Sequence, residues 1–132
     1  MTGITHMVVS ASIYSMRVLP RPAALTAAFA SHFILDAIPH YELTLNTNLI
    51  LLAAAGLFIA YISFLRRDIF ISAAAFLGLL PDLIWVFDLN STLINIHSYF
   101  HFKKTYPIPP TFLLFELALL LLFLAILVKN RR

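Results

Sequence analysis

Apolar and polar positions along this chain sort into five long apolar stretches, separated by short polar or proline-bearing breaks. Ile4–Leu19 is apolar with Ser and Thr mixed in, and Ala23–Ile38 follows the break Pro20-Arg21-Pro22. Leu49–Leu65 is almost wholly apolar and ends at Arg66-Arg67. Ile69–Phe87 follows at once and contains Pro81, and Thr111–Val128, the purest stretch, ends in Lys129-Asn130-Arg131-Arg132. All five exceed an ordinary strand, and an open strand leaves its backbone polar groups unsatisfied in lipid, so helix is expected for each. At about 1.5 Å rise per residue they reach roughly 24–29 Å. A hydrocarbon core of about 30 Å makes the first two marginal spans.

The breaks agree with that division. Pro20 and Pro22 stop one helix and start the next, because proline fits a first helical turn but not an interior. Asn46 or Asn48 can cap the third helix. Pro107, Pro109 and Pro110 forbid regular helix at the end of the longest connection. The N-terminus lacks a basic start, and His6 stands where an apolar signal region would begin, so no secretory signal is expected. The expected fold is a single all-α domain over residues 1–132, a polytopic membrane bundle of about five helices (about 4–19, 23–38, 49–65, 69–87 and 111–128) with an outer loop at 89–110.

Composition narrows the class. In 132 residues, 61 % are hydrophobic and 11 % charged, against roughly 45–50 % and about 25 % in soluble domains. A chain this short has too much surface to hide so many apolar side chains from water, which excludes a soluble monomer and disorder. The net charge of +3 comes from nine scattered Lys and Arg residues, not a stripe that could follow phosphates, so nucleic acid is excluded. Cysteine is absent, and with it disulfides, thiolate metal sites and cysteine nucleophiles.

Basic residues set an orientation. With five spans, Arg17 and Arg21, Arg66 and Arg67, and the Lys129–Arg132 end all fall on one side, expected to be cytoplasmic. This places the N-terminus out and the C-terminus in, in a cell inner membrane, with Lys103 and Lys104 as the one violation. His6, His32, Asp36, His40, Glu42, Asp82, Asp88, His97, His101 and Glu116 then share the outer side, and only Asp68 lies with the arginines.

Spacing sharpens this convergence. His32-x3-Asp36-x3-His40 puts three ligand types on one helical face, one turn apart. His97-x3-His101 has the same relation if that stretch is helical. Side chains at i and i+4 can meet over one metal, and a mixed His/Asp set suits Zn²⁺, less exclusively Mn²⁺ or Fe²⁺. A cation also offsets the cost of bare carboxylates in lipid. Simpler readings stand beside these. The His32 face could be a polar seam joining helices, Asp82 a residue of the Pro81 kink, and His97 and His101 part of an interfacial belt with Tyr99 and Tyr106. His6 could be a solvated terminal residue, Glu42 and Asp88 solvated acids, and Trp85 an interfacial anchor. Glu116 could be a ligand, a general base or a partner that orients a histidine.

The motifs Thr5-His6, Ser31-His32-Phe33-Ile34-Leu35-Asp36-Ala37-Ile38-Pro39-His40 and Gly78-Leu79-Leu80-Pro81-Asp82 resemble the membrane-bound metal-dependent hydrolases, small inner-membrane proteins. Together with the late histidine pair they are also similar to zinc-dependent phospholipase C. The resemblance covers roughly Thr2 to His101. It implies His6, His32, Asp36, Asp82 and His97 as metal ligands, with His40 and His101 as further candidates. Ile84 stands where the family often has a second acid, and Ser98-Tyr99-Phe100 separates the late histidines, so one or two metals are easier to build than a full cluster. The implied activity is hydrolysis at the outer interface, acting on phosphoesters of lipid headgroups; Glu116, outside the resemblance, is a candidate general base by its position one turn into the last helix. Its alternatives are a non-enzymatic metal-binding or ion-transporting membrane protein and, last, a b-type haem protein. Seven candidate ligands in so short a chain would also suit a site completed across a homo-oligomer.

Overall fold

A computed structural model describes residues 1–41, 43–101 and 108–130, which form six α-helices and no strand. They are α1 (Gly3–Ser15), α2 (Arg21–Asp36), α3 (Leu45–Arg66), α4 (Phe70–Val86), α5 (Ser91–Phe100) and α6 (Phe112–Lys129). All five expected helices are present. The sixth, α5, occupies part of what the sequence suggested was a loop at 89–110. Its start is a local signal that the apolar pattern hides: the Asn90 side chain accepts from the Leu93 amide at 3.0 Å, a standard N-cap bond. Glu42, Lys103, Lys104, Tyr106, Pro107, Arg131 and Arg132, given solvent, loop or topology roles above, lie outside the described residues.

The helix ends explain the boundaries. α1 stops at Ser15, short of the expected Leu19, and Arg17 turns the chain with φ 53° ahead of Pro20. α2 carries Pro22 in its first turn, where the missing N–H costs nothing. α3 begins at Leu45 because Thr44, not Asn46 or Asn48, is the cap: its hydroxyl accepts from the Thr47 amide at 3.4 Å. Both asparagines lie inside the helix. α3 ends at Arg67 in the left-handed region, φ 51°, and Asp68 caps the turn into α4 by accepting from the Phe70 amide at 3.1 Å.

α1 is the centre of the bundle, packed against α2, α3, α4 and α6. Ten of its 13 residues are buried, which explains why its sequence has no clear polar face. Its polar side chains bond neighbouring helices instead of water. The Ser10 hydroxyl donates to the Ala28 carbonyl at 2.9 Å, and the Ser12 hydroxyl lies 2.7 Å from both the Val8 and Phe123 carbonyls. Its own Ala11 and, around it, Ala24, Ala28, Ala74 and Ala75 are buried, the small residues that let apolar helices approach closely.

The outer helices face the other way. α3 and α6 are long and apolar enough to cross a membrane, and the α4–α5 pair, bent by 111°, makes a third candidate if counted as one broken span. Ile50, Leu57 and Phe64 on α3 and Leu114, Leu121 and Leu122 on α6 are exposed, a surface suited to lipid and costly in water. At 13 residues, α1 is about 20 Å long. It is shielded by its neighbours, so it need not meet the length and purity of a lipid-facing span.

The two ends of α1 differ in chemistry. At its last turns the Tyr14 hydroxyl donates to Asp68 at 3.2 Å, Arg17 reaches the same carboxylate at 3.4 Å, and the Asn130 amide donates to the Ser15 carbonyl at 3.3 Å. Arg66 donates to the Leu127 carbonyl at the end of α6, a favourable place for a cation on the helix dipole. Its first turn lies instead among histidines and carboxylates.

Candidate metal centre

Four helices deliver side chains to one buried point. His6 comes from the first turns of α1, His32 and Asp36 from the last turns of α2, Asp82 from α4 and His97 from α5. The i, i+4 spacing within α2 brings His32 Nε2 to 3.0 Å from Asp36 Oδ2. α5 contributes only because the chain doubles back after α4. Asp88 turns it with φ 50°, and His97 Nδ1 then lies 3.2 Å from His32 Nε2. Asp82 Oδ1 lies 3.7 Å from His32 Nε2 and 3.8 Å from His97 Nε2. One ligand atom each from His32, Asp36, Asp82 and His97 falls within 4.8 Å of the other three. His6 stacks on His32 with ring centroids 4.2 Å apart, and its Nε2 is 3.0 Å from Asp36 Oδ1. His6, His32 and Asp36 are at most 1 % exposed.

The orientation of His32 is set from α4. Its Nδ1 lies 2.8 Å from the Gly78 carbonyl. That oxygen can only accept, so Nδ1 carries the proton and a neutral His32 points the Nε2 lone pair at the acids. Only glycine fits here. A Cβ at position 78 would lie 1.9 Å from Ser10 Oγ and 2.9 Å from the His6 carbonyl oxygen. Gly78 lies three residues before Pro81, whose missing N–H already interrupts the α4 ladder.

Several of these atoms are close without bonding each other. Both ring nitrogens of His6 and Asp36 Oδ2 are buried and lack a hydrogen bond of acceptable direction. Each such atom costs about 1–3 kcal/mol if left unsatisfied. Buried imidazole nitrogens and a carboxylate oxygen without hydrogen bonds are donor atoms that a cation could satisfy. The residues therefore fit a metal by geometry and by donor type, since imidazole and carboxylate together suit Zn²⁺ without excluding Mn²⁺ or Fe²⁺.

A second group adjoins the first. Asp36, His40 and His101 also present ligand atoms within 4.8 Å of one another, which makes Asp36 common to both. The His40 Nδ1–H donates to the Ile38 carbonyl at 2.8 Å, leaving Nε2 for a ligand. Burial holds His40 below the ordinary histidine range, so it stays neutral at physiological pH. The Met1 amine lies 2.9 Å from Asp36 Oδ1.

Glu116 is drawn to a different task. Its Oε1 accepts from the Thr2 amide at 2.7 Å, the Thr2 hydroxyl at 2.6 Å and the Thr5 hydroxyl at 2.8 Å. It thus ties α6 to the first turn of α1, whose amides have no helical partner, and Oε2 has no partner. The acid that lines the open cavity beside the centre is Asp82. Asp88 is exposed, and Trp85 lies half-exposed with its ring 6.2 Å from His97. Sequence reasoning passed over the Gly78 carbonyl and the Thr2 and Thr5 anchors. An isolated glycine inside an apolar helix was the available signal for close backbone approach.

No known protein family, curated protein or solved structure matches this chain.

Proposed function

We propose that the chain is a metal-dependent hydrolase embedded in the membrane, with its centre at the outer interface of an inner membrane and acting on headgroup phosphoesters. The observation that carries the metal reading is the His32–Asp36–Asp82–His97 group, whose ligand atoms fall within 4.8 Å of one another and in which Asp36 Oδ2 is buried without a hydrogen bond. Zinc bound there would lower the pKa of a coordinated water toward 7 and polarise the scissile bond. His32, held by Gly78, and Asp36 would be the fixed ligands. Asp82, at the cavity wall, would handle the proton of the attacking water, and the resemblance noted above supports the same reaction class. The orientation, N-terminus out and C-terminus in, rests on the separation of the histidine end of α1 from its arginine end.

Two competing readings are less well served. Ion transport needs a polar path through the rest of the bundle, whereas Ser10 and Ser12 are committed to helix carbonyls. Haem needs a gap between axial histidines, whereas the His6 and His32 rings stack in contact. One chain supplies the whole group, so no second copy is required to complete it.

Metal analysis of detergent-purified protein tests the reading. Stoichiometric zinc is expected in the wild type and not in a His32→Ala, Asp36→Ala variant; wild type without bound metal overturns it. Chelator-sensitive release of headgroup or phosphate from defined lipids separates hydrolase from metal binder.

A further inference from the structure

Beside the centre lies a cavity of about 640 Å³. Its lining is mixed: Asp82, His97, His40 and His101 line it together with Leu49 and Leu52 of α3, Val86 of α4 and Phe87 just beyond α4. Among the described residues no Lys, Arg or Glu lines it. A charged group held against the apolar part of this lining would lose its water without replacement hydrogen bonds, at a cost of several kcal/mol. Leu49 is 54 % and Val86 51 % exposed, and α3 is the helix that offers Ile50 and Leu57 to lipid. The apolar part of the lining is therefore half-exposed and adjoins the apolar outer face of α3.

We propose that this cavity is a lateral subsite for one hydrocarbon chain of an anionic amphiphile drawn from the surrounding bilayer, whose headgroup lies against the histidines. It rests on the metal reading only for the headgroup end; the chain end stands on the shape and lining of the cavity. The arrangement lets a lipid enter from the bilayer without leaving an apolar environment. Leu49 and Val86 determine how much chain the subsite accepts. Each methylene buried strengthens binding about fourfold, or about 0.8 kcal/mol.

Trp85 is the only tryptophan in the chain and lines the cavity, so its emission reports occupancy. The detergent-purified full chain is titrated with 12-bromododecyl phosphate, whose bromine quenches indole on contact, and zinc is assayed in the same samples. Saturable quenching at one amphiphile per chain is expected, reversed by unbrominated dodecyl phosphate and not by methyl phosphate. Leu49→Phe with Val86→Phe reduces the space beside the apolar lining and is expected to weaken binding at least tenfold with zinc content unchanged. Quenching that rises linearly without saturation, or saturable quenching that the double variant retains, overturns the subsite. If the variant does not fold, the contrast between dodecyl and methyl phosphate in the wild type decides alone. Saturable quenching in protein that binds no zinc leaves the subsite standing and removes the metal reading, so the two failures are distinct.

Discussion

The Gly78 carbonyl of α4 accepts a 2.8 Å hydrogen bond from His32 Nδ1 of α2, and this one bond fixes both the tautomer and the direction of a fully buried histidine. It exists because the two helices approach at a position where no side chain fits. Close packing of the bundle and orientation of the candidate ligand are therefore one feature.

Gly78→Ala tests that coupling. The new methyl would meet Ser10 and the His6 backbone, and a clash with backbone cannot be relieved by a rotamer change. A loss of about 1–3 kcal/mol in stability is expected, together with weakened metal binding. Thermal unfolding in detergent and metal content measure the two. Ser10→Gly in the same chain should recover part of the stability, because the nearest contact is Ser10 Oγ. Unchanged stability and zinc content in the single variant would show that the helices are not so closely packed.

Asp36 is the residue on which both ligand groups depend. Asp36→Asn removes the anionic ligand while keeping its shape, and loss of all bound metal is expected. Asp88→Asn, at an exposed acid one turn beyond α4, should retain the wild-type metal content. Equal zinc in the two variants would refute a centre at Asp36.

A metal held by the folded state alone must also stabilise it. At free zinc about 100 times the dissociation constant, the gain is about 2.7 kcal/mol. Chelator should lower the unfolding temperature of the wild type, and added zinc should restore it in a concentration-dependent way. Asp36→Asn should respond to neither; a similar response in that variant would place the bound metal elsewhere.

Glu116 separates an anchor from a base. Its Oε1 holds three donors, and hydrogen bonds to a charged group contribute about 1.5–3 kcal/mol each at most. Glu116→Ala should destabilise the bundle measurably. Glu116→Gln keeps an accepting oxygen and should retain both fold and hydrolysis. Loss of hydrolysis in a well-folded Glu116→Gln would instead establish the general-base role.

The absence of cysteine makes the chain suited to a topology test. Single cysteines at Leu89, near the histidine end, and Val18, near the arginine end, are both at exposed positions. A membrane-impermeant maleimide applied to intact cells should label Leu89→Cys and spare Val18→Cys. The reverse pattern would invert the orientation.

What the sequence determined by itself follows from solvent and period. Apolar runs of helical length pointed to helices, and all five appear near their expected places, although only α3, α6 and the bent α4–α5 pair are candidate spans. The His32–Asp36 pair was legible because i, i+4 geometry is local. The remainder required tertiary structure. α5 is capped by Asn90 and lies inside a connection with a weaker apolar signal, so hydropathy could not separate it from loop. The meeting of His97 with His32 depends on the turn at Asp88, and no spacing in the chain encodes a contact between residues 65 positions apart. Glu116 could be read as an acid near the site, but its role depends on which helix end it meets, and that is decided by how α6 packs against α1. α1 itself looked like a marginal span. Its burial, which allows Ser, Thr and His at the centre of so apolar a bundle, is a property of its neighbours and not of its own residues.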